Sequence, residues 1–331
     1  MPILFVDSFD DRSITGGVIG YKWSSYSNSN NYAIAVPGRT GNGITSQADG
    51  AFSLRKDLAA LQTFYMGLAL KAGANLTFAQ FFDGGTLQLD LHTNGDGTIS
   101  VRRGGSVVLG TSTQAISASA FAYLEFSATI DPSAGAFTLK MNGVTILSAS
   151  GVNTRASANN RVTGYWIGDA VFNHAVFDDV YIADDQFYGG IKVLVTLPNG
   201  DGASTQWART GGTVAGNYTA VNEASPDDNT SYVSSPNVGD LDLYDFANLP
   251  DPSVAVKALQ VWTRHERDDV VTRKAKMVVR SAGTNYPQGE FTTAQNVWQD
   301  DVQVLATDPA TGVAWTGAAV DAAQFGVQVT V

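Results

Sequence analysis

Residues 4–11 read LFVDSFDD, and residues 176–187 read VFDDVYIADDQF. Both segments are short apolar strands that carry a Phe-Asp pair, and the first and last strands of an antiparallel β-sandwich often lie side by side. The returning motif therefore predicts a first domain that closes on itself over residues 1–187. A new turn, LPNGDG at 197–202, opens the remainder of the chain, so residues 188–331 are predicted to form a second domain.

The composition favours short strands joined by tight turns. The chain has 331 residues, which exceeds the length that one hydrophobic core ordinarily supports, so two domains are expected. Gly is abundant at 34 residues, and only four of the 31 acidic residues are Glu. Glu is typical of helix surfaces, whereas Asp is typical of turns. We therefore predict an all-β protein built from two β-sandwich (jelly-roll) domains in tandem, with only short helices.

The clearest hairpin lies within residues 86–102. The segment TLQLDLH at 86–92 alternates apolar and polar residues, which predicts a strand with its leucines buried and with Gln88, Asp90 and His92 exposed to solvent. The sequence Asn-Gly-Asp-Gly at 94–97 supplies residues that tolerate positive φ, so residues 98–102 are predicted to form the partner strand.

Three further elements are predicted from local signals. A single helical turn is predicted at residues 55–62. In the second half, a hairpin is predicted from residue 256 to residue 281, with its turn at Asp268-Asp269. Thr316 is predicted to cap a short helix over residues 317–323.

Basic residues are concentrated in one part of the second half. Six of the nine bases after residue 187 lie between residues 264 and 280. One interpretation is a solvated strand face that discourages pairing at a sheet edge. The alternative is a docking surface for an acidic neighbour, and its candidate residues are Arg264, Arg267, Lys274, Lys276 and Arg280.

Charge and cysteine content exclude several classes of function. The net charge of −11 argues against nucleic-acid binding, which relies on basic side chains that displace counterions. The chain has no cysteine, which excludes disulfides and thiol chemistry. No apolar stretch approaches the ~20 residues of a membrane helix, and the amino terminus lacks the basic region of a secretory signal. We therefore expect a protein made in a cytoplasm, with no membrane partner.

No catalytic motif stands out in the sequence. A glycoside hydrolase needs two carboxylates about 5–10 Å apart across the sugar. Glu125 is the only Glu in residues 1–187, and no second carboxylate lies two or four residues from it. The three histidines are scattered, and no Gly-x-Ser-x-Gly nucleophile motif is present. The prediction is that the chain is not an enzyme and carries no catalytic residue.

Asp10, Asp178 and Asp179 form a candidate metal site, because they become neighbours if the first and last strands pair. Carboxylates are the ligands that calcium prefers. Adjacent Asp residues on one strand, however, point to opposite faces, so the favoured interpretation is that they are structural residues of the strand seam. Calcium remains the alternative, and no other cofactor is predicted.

A second candidate site lies in residues 23–32, which read WSSYSNSNNY. This mixture of aromatic and small polar residues suits stacking against a sugar or an adaptable binding surface. Trp23, Tyr26 and Tyr32 are therefore candidate ligand-binding residues, beside the alternative that Trp23 belongs to the core.

Several segments resemble known protein families. The segments VDSFDD at 6–11, YLEFSATID at 123–131, GAFTLKMNGVTIL at 135–147 and WIGD at 166–169 resemble concanavalin A-like or laminin-G-like jelly rolls. Over nearly the whole chain, including LPNGDGASTQW at 197–207 and TDPATGVAWT at 307–316, the sequence resembles tailed-bacteriophage virion proteins. This second resemblance implies a structural role and transfers no active residue.

The phage resemblance implies a set of partners and a location. The chain would be a capsid decoration, spike or tail-associated protein, assembled into a virion in the cytoplasm of the host bacterium. Its partners would be other virion proteins, copies of itself in a homo-oligomer such as a trimer, and a host-surface glycan. A lectin-like carbohydrate-binding module is the first alternative, and a polysaccharide-degrading enzyme is the second.

Overall fold

The computed structural model describes residues 3–10, 22–28, 33–46, 51–169 and 174–331. The chain divides into two compact units, Met1–Leu194 and Val195–Val331. The division falls after residue 194, and not after residue 187, because Arg39 donates to the carbonyls of Gly190 and Ile191 and thereby holds this segment on the first unit. The described residues are almost entirely β, which confirms the predicted fold class.

The first unit contains two sheets among its described residues. Its strands are β1 (Ile3–Asp7), β2 (Ser25–Asn28), β3 (Ala33–Pro37), β4 (Asn42–Ser46), β5 (Phe52–Leu61), β6 (Thr63–Lys71), β7 (Thr77–Asp83), β8 (Thr86–Thr93), β9 (Thr98–Arg103), β10 (Val107–Ala115), β11 (Ala122–Thr129), β12 (Gly135–Met141), β13 (Val144–Val152), β14 (Val162–Asp169) and β15 (Val176–Ala183). The eight-stranded sheet has the order β13-β12-β11-β6-β15-β4-β3, with β1 paired to β15. The seven-stranded sheet has the order β10-β9-β8-β7-β14-β5-β2.

The first and last strands of this unit pair as the returning motif predicts. Strand β1 runs antiparallel to β15, with Phe5 opposite Ile182 and Asp7 opposite Val180. The hairpin predicted within residues 86–102 is also confirmed, because β8 pairs with β9 around a turn in which Asn94 N donates to the carbonyl of Thr98. The helical turn predicted at residues 55–62 is wrong. This segment belongs to β5, which is held in the sheet by β14 on one side and β2 on the other.

An aromatic layer fills the space between the two sheets. Phe64 and Phe126 project from the eight-stranded sheet, and Phe81 and Tyr165 project from the seven-stranded sheet; all four are buried. The ring centroids of Phe64 and Phe81 are 4.6 Å apart, and those of Phe81 and Phe126 are 5.3 Å apart. These rings are the centre of one continuous apolar core.

The second unit is built around one five-stranded sheet. Its described elements are β16 (Pro198–Thr205), β17 (Ala208–Thr210), a 3-10 helix (Asn217–Ala220), β18 (Tyr232–Ser234), β19 (Leu241–Phe246), β20 (Leu259–His265), β21 (Lys274–Ser281), β22 (Thr284–Thr292), β23 (Gln299–Leu305), α1 (Gly317–Asp321) and β24 (Gln324–Val329). The sheet has the order β16-β19-β24-β21-β22, and β20 and β23 form a separate ribbon. Val279 and Phe325 of the sheet, Leu305 of the ribbon and Trp315 share one buried cluster, so the ribbon packs on the sheet.

Two local predictions in the second unit have opposite outcomes. The helix cap is confirmed, because Thr316 Oγ1 accepts a hydrogen bond from Ala319 N at 3.1 Å. The hairpin predicted over residues 256–281 is wrong. Strand β20 pairs with β23, and Arg264 lies opposite Asp300, whereas β21 pairs with β22 and β24. Two segments that are adjacent in sequence therefore belong to different sheets.

In the part of the chain that the structure describes, no helix has the length and apolar character required to cross a membrane.

We expect Phe81→Ala to lower the free energy of unfolding of the first unit by about 3–5 kcal/mol, because it leaves a cavity in the aromatic layer. Denaturant titration followed by circular dichroism measures this change. Val108→Ala is the control, since Val108 is 57% exposed, and it should change stability by less than about 0.5 kcal/mol. Equal stability of the two variants would contradict the assignment of the core.

Candidate functional site

A row of polar and aromatic side chains crosses the outer face of the seven-stranded sheet. Cross-strand pairing places Trp166 opposite both Arg55 and Gln80, Gln80 opposite Asp90, and Asp90 opposite Arg102. We call these five residues the polar row. It spans five adjacent strands, β5, β14, β7, β8 and β9, and is therefore about 19 Å long at the usual spacing between strands.

The alternation of side chains along each strand explains why the row faces outward. Leu54, Ile167 and Leu89 are buried in the core between the sheets. Each of them is next in sequence to a member of the polar row, and successive side chains of a strand point to opposite faces. Burial of the apolar residues therefore directs the polar row away from the core.

One end of the row is a hydrogen-bonded network around Arg102. The guanidinium donates from Nε to Asp90 Oδ1 at 2.7 Å and from Nη2 to Asp90 Oδ2 at 3.2 Å. It also donates from Nη2 to Thr77 Oγ1 at 2.8 Å, and this hydroxyl lies 3.0 Å from His92 Nδ1. Burial raises the pKa of Asp90, and Arg102 opposes that rise. Burial, and then the charge of Arg102, lower the pKa of His92, so its imidazole is neutral near neutral pH.

At the other end of the row, Arg55 lies flat against the sheet. Its Nε donates to Asp57 Oδ1 at 2.7 Å, its Nη2 donates to the carbonyl of Gly84 at 2.8 Å, and its Cζ is 5.2 Å from the ring centroid of Phe82. Gly164 makes this position possible, because a Cβ there would lie 2.6 Å from Arg55 Nη2.

The centre of the row has unused hydrogen-bonding capacity. Trp166 and Gln80 are half-buried neighbours. Among the described residues, neither the indole N–H of Trp166 nor the carboxamide of Gln80 has a hydrogen-bond partner, and the same is true of His92 Nε2. A rigid aromatic surface beside spare donors and acceptors suits a ligand that has an apolar ring face and several hydroxyl groups.

A fixed loop, residues 153–161, bounds the row along one side. Gln88 Oε1 accepts from the backbone N–H of Ala156 at 2.6 Å and of Ser157 at 2.9 Å. Its Nε2 donates to the carbonyls of Asn159 at 2.9 Å and Arg161 at 3.0 Å. The sequence predicts Gln88 and Asp90 on a solvent-exposed face, and this is wrong because the loop covers Gln88 and Arg102 binds Asp90; both residues are fully buried.

Of the three residues of the predicted aromatic site, Trp23 lies in the core. Trp23 is 5% exposed, and its Nε1 donates to the buried Asp7 Oδ2 at 2.7 Å. Its ring packs on Phe5 with a centroid distance of 4.9 Å. Trp23 is therefore unavailable for stacking on a sugar, which agrees with the alternative interpretation of a core residue. Tyr26 belongs to β2 and its side chain lies outside the described residues, as does the whole of Tyr32.

The candidate metal ligands Asp10, Asp178 and Asp179 all contact the same loop, residues 39–42, and hold it in place. Asp178 Oδ2 accepts from Thr40 N at 2.9 Å, Asp179 Oδ2 accepts from Arg39 Nη1 at 3.1 Å, and Asp10 Oδ1 accepts from the backbone N–H of Asn42 at 2.6 Å. Each carboxylate thus fastens residues 39–42 to the seam of the sheet. Within the described ranges, no group of three or more His, Cys, Asp or Glu residues is arranged to hold a metal ion.

Burial has a large effect on the acidity of this cluster. Burial raises the pKa of Asp178 to about 7, and the neighbouring carboxylate of Asp179 adds to the rise. Burial also raises the pKa of Asp179, which hydrogen bonds from Val193 N and the charge of Arg39 counteract.

The five basic residues selected as a docking surface do not form one strand face. Arg264 lies on β20, where it binds Asp300 at 2.9 Å and also Asp228 at 2.6 Å. Arg267 donates to the backbone carbonyls of Asp269 and Thr293. Lys274, Lys276 and Arg280 lie on β21, in the five-stranded sheet. Lys274 pairs with Glu290 at 2.9 Å, and Arg280 donates to Asn285. Local ion pairs thus use much of this positive charge.

Sequence reasoning missed most of the polar row. The alternation in β8 and the hairpin to β9 place Asp90 beside Arg102, so this pair could have been predicted from the sequence. The contact between Trp166 and Gln80 depends on strands far apart in sequence, and no local signal reports it.

Comparison with known proteins gives likenesses at the level of structure alone. No protein-family model and no curated protein matches the chain. An endo-β-1,4-glucuronan lyase from the fungus Trichoderma reesei is similar, with 11% identity, a TM-score of 0.41, and coverage of 55% of this chain and 96% of the lyase. Domain 4 of an extracellular arabinanase from Geobacillus stearothermophilus, solved with arabinotriose, is similar with 15% identity, a TM-score of 0.40, and coverage of 55% and 92%. An alginate lyase solved with an alginate trisaccharide is similar with 8% identity, a TM-score of 0.39, and coverage of 56% and 99%.

The comparisons bear on the prediction that the chain is not an enzyme and do not test the predicted virion role. The prediction that the chain is not an enzyme is contradicted by the comparisons, since two of the three structures described above are polysaccharide lyases. That prediction relied on the absence of the pair of carboxylates that glycoside hydrolases use. None of the three is a virion protein, so the virion assignment stays a prediction.

We expect Gln88→Met to loosen the 153–161 loop, because the backbone N–H groups of Ala156 and Ser157 lose their acceptor, at a cost of about 0.5–1.5 kcal/mol for each hydrogen bond. Limited trypsin digestion measures this, since Arg155 and Arg161 lie in the loop, and cleavage there should become faster. Gln114→Met is the control, because Gln114 is exposed. An unchanged cleavage rate would contradict the role of Gln88.

We expect the stability of the first unit to carry a pH dependence from Asp178. Its pKa is about 7 in the folded protein and 3.8 ordinarily, so the folded state binds the proton more tightly. The stabilising contribution is therefore complete below pH 3.8 and is lost as the pH rises through about 7. Unfolding titrations from pH 4 to pH 8 should show Asp178→Asn gaining stability relative to the wild-type chain as the pH rises. A pH-independent difference would rule this out.

Proposed function

We propose that the first unit binds a glycan chain along the polar row. The observation that carries this proposal is the pair Trp166 and Gln80, which are adjacent, half-buried and without hydrogen-bond partners among the described residues. Both side chains thus offer hydrogen-bonding groups that no described residue uses, beside an aromatic ring on the outer face of the sheet. A ligand that stacks on the ring and bonds to the amide satisfies both groups.

The chemistry of the row matches the surface of a sugar. A pyranose ring has an apolar face of C–H groups, which packs on an aromatic ring, and a rim of hydroxyls, which bond to planar amide and guanidinium groups. Arg55 and Arg102 each keep Nη1 free of hydrogen bonds among the described residues, so both ends of the row retain donors. At about 19 Å, the row has room for a chain of several rings.

The position of the row on strands favours binding with little reorganisation. Each member projects from a strand whose opposite face is fixed in the core, and Gln88 fixes the bounding loop. Groups held in this way lose little conformational entropy when a ligand binds, which favours affinity.

The virion role remains a prediction from the resemblance. It supposes a surface component that joins other virion proteins, forms a homo-oligomer such as a trimer and contacts a host-surface glycan. Imaging of intact particles tests the location, and light scattering of the isolated protein tests self-association; a monomer at micromolar concentration would contradict the trimer.

We expect Trp166→Ala to weaken glycan binding about tenfold or more, because the loss of a stacking surface costs roughly 0.5–1.5 kcal/mol beyond the area it buries. Affinity gel electrophoresis against a panel of polysaccharides measures binding, and Gln80→Ala should weaken it as well. Thr145→Ala is the control, since Thr145 is exposed on β13 in the other sheet.

The same panel tests for chain cleavage. Each polysaccharide is incubated with the protein, and new reducing ends and the ultraviolet absorbance of unsaturated sugar ends are followed. Cleavage that Trp166→Ala abolishes would place an enzymatic activity at the row. Binding that survives both Trp166→Ala and Gln80→Ala would refute the row as the glycan site.

A further inference from the structure

From the charges along the polar row, and resting on the proposed function above, we infer that its ligand is an uncharged glycan chain and not a polyuronate or another acidic polysaccharide. The inference follows from the partners of the two guanidinium groups, from the remaining titratable groups near the row and from the charge of the whole unit.

Both guanidinium groups of the row already have a carboxylate partner. Arg102 contacts Asp90 with two hydrogen bonds, at 2.7 and 3.2 Å, and Asp90 is fully buried. Arg55 contacts Asp57 at 2.7 Å. A uronate that took Arg102 from Asp90 would leave a buried carboxylate unpaired, which is strongly unfavourable. The two pairs therefore supply donors to hydroxyls but no net positive charge.

The arginines in or beside the bounding loop already have hydrogen-bond partners, and one of them is paired with a carboxylate. Arg161 is paired with Asp83, whose Oδ1 accepts from Arg161 Nε at 2.8 Å. Arg155 donates to the side chain of Asn160, which in turn donates to Asp131 Oδ2 at 3.0 Å. Arg103, at the end of β9, donates to a backbone carbonyl of the loop at residue 153.

The ring of His92 is uncharged at neutral pH, because burial and then Arg102 lower its pKa. Its Nε2 therefore offers a neutral hydrogen-bonding group next to the Arg102 network. A hydroxyl satisfies such a group without bringing a charge to the face.

The charge of the whole unit opposes an acidic ligand. The unit, residues 1–194, contains 15 acids and 12 bases, which gives a net charge of −3. The segments of this unit outside the described residues add the acids Asp11 and Asp49 and the base Arg12, and so hold no reserve of positive side chains. A polyuronate carries one negative charge per sugar and would meet a row whose two guanidinium groups are already paired, on a unit of net negative charge, which slows association and weakens binding.

Two panels of polysaccharides test the inference with the intact chain. The neutral panel is xylan, arabinan, glucomannan and dextran, and the acidic panel is alginate, polyglucuronate and pectate; both are examined by affinity gel electrophoresis at low and at high salt. We expect binding to at least one neutral polysaccharide, with an affinity that changes less than twofold between the two salt concentrations, and no binding to the acidic panel.

The outcomes separate this inference from the proposed function. Binding to an acidic polysaccharide that is tighter than any neutral binding, weakens with salt and is lost in Trp166→Ala would overturn the inference and leave glycan binding by the row intact. The absence of binding to every polysaccharide in both panels would overturn the proposed function and the inference together.

A charge variant provides a second, independent measurement. Asp57→Asn removes the partner of Arg55, whose guanidinium should then attract a uronate, so we expect salt-sensitive binding to the acidic panel to appear. Asp96→Asn makes the same change of charge at an exposed turn between β8 and β9 and should not have this effect. Equal behaviour of the two variants would show that the pairing of Arg55 does not set the selectivity.

Discussion

The packing of one aromatic layer between two sheets is the constraint on which the rest of the first unit depends. Phe81 and Tyr165 from one sheet meet Phe64 and Phe126 from the other, and no shift of register can preserve these contacts. A slip of one residue in any of these strands would exchange its two faces. Burial of the rings therefore determines which side chains face outward. Trp166 lies beside Gln80 because the neighbouring residues Tyr165 and Phe81 fix their two strands in the core.

The features that the sequence predicted correctly are those that short segments encode. The hairpin of β8 and β9 follows from a turn and an alternating pattern, and the pairing of β1 with β15 follows from a repeated motif. The pattern in β8 failed at Gln88, since alternation separates two faces but does not reveal that residues 153–161 cover one of them. The prediction of a hairpin over residues 256–281 failed for a related reason. No local sequence signal shows that β21 pairs with β24 in a different sheet from β20.

The excess of Asp over Glu has a physical explanation in the first unit. Asp7, Asp83 and Asp178 each accept hydrogen bonds that hold a second segment of the chain in place. Two of these carboxylates are fully or almost fully buried. A carboxylate on a single methylene reaches backbone N–H groups close to its own strand and loses less side-chain entropy than the longer Glu. Asp side chains therefore hold loops against a sheet, and in this unit the excess of Asp serves the fold and not a catalytic reaction.

The way in which Gln88 holds the 153–161 loop determines which substitutions the loop can tolerate. Gln88 contacts the loop through backbone N–H and carbonyl groups, with one additional bond to the hydroxyl of Ser157. Backbone groups are present whatever the side chain, so substitutions elsewhere in the loop leave most of the attachment unchanged. The backbone of the loop therefore keeps its position when its outward side chains are substituted. The residues beside the polar row can change in evolution while the sheet stays the same.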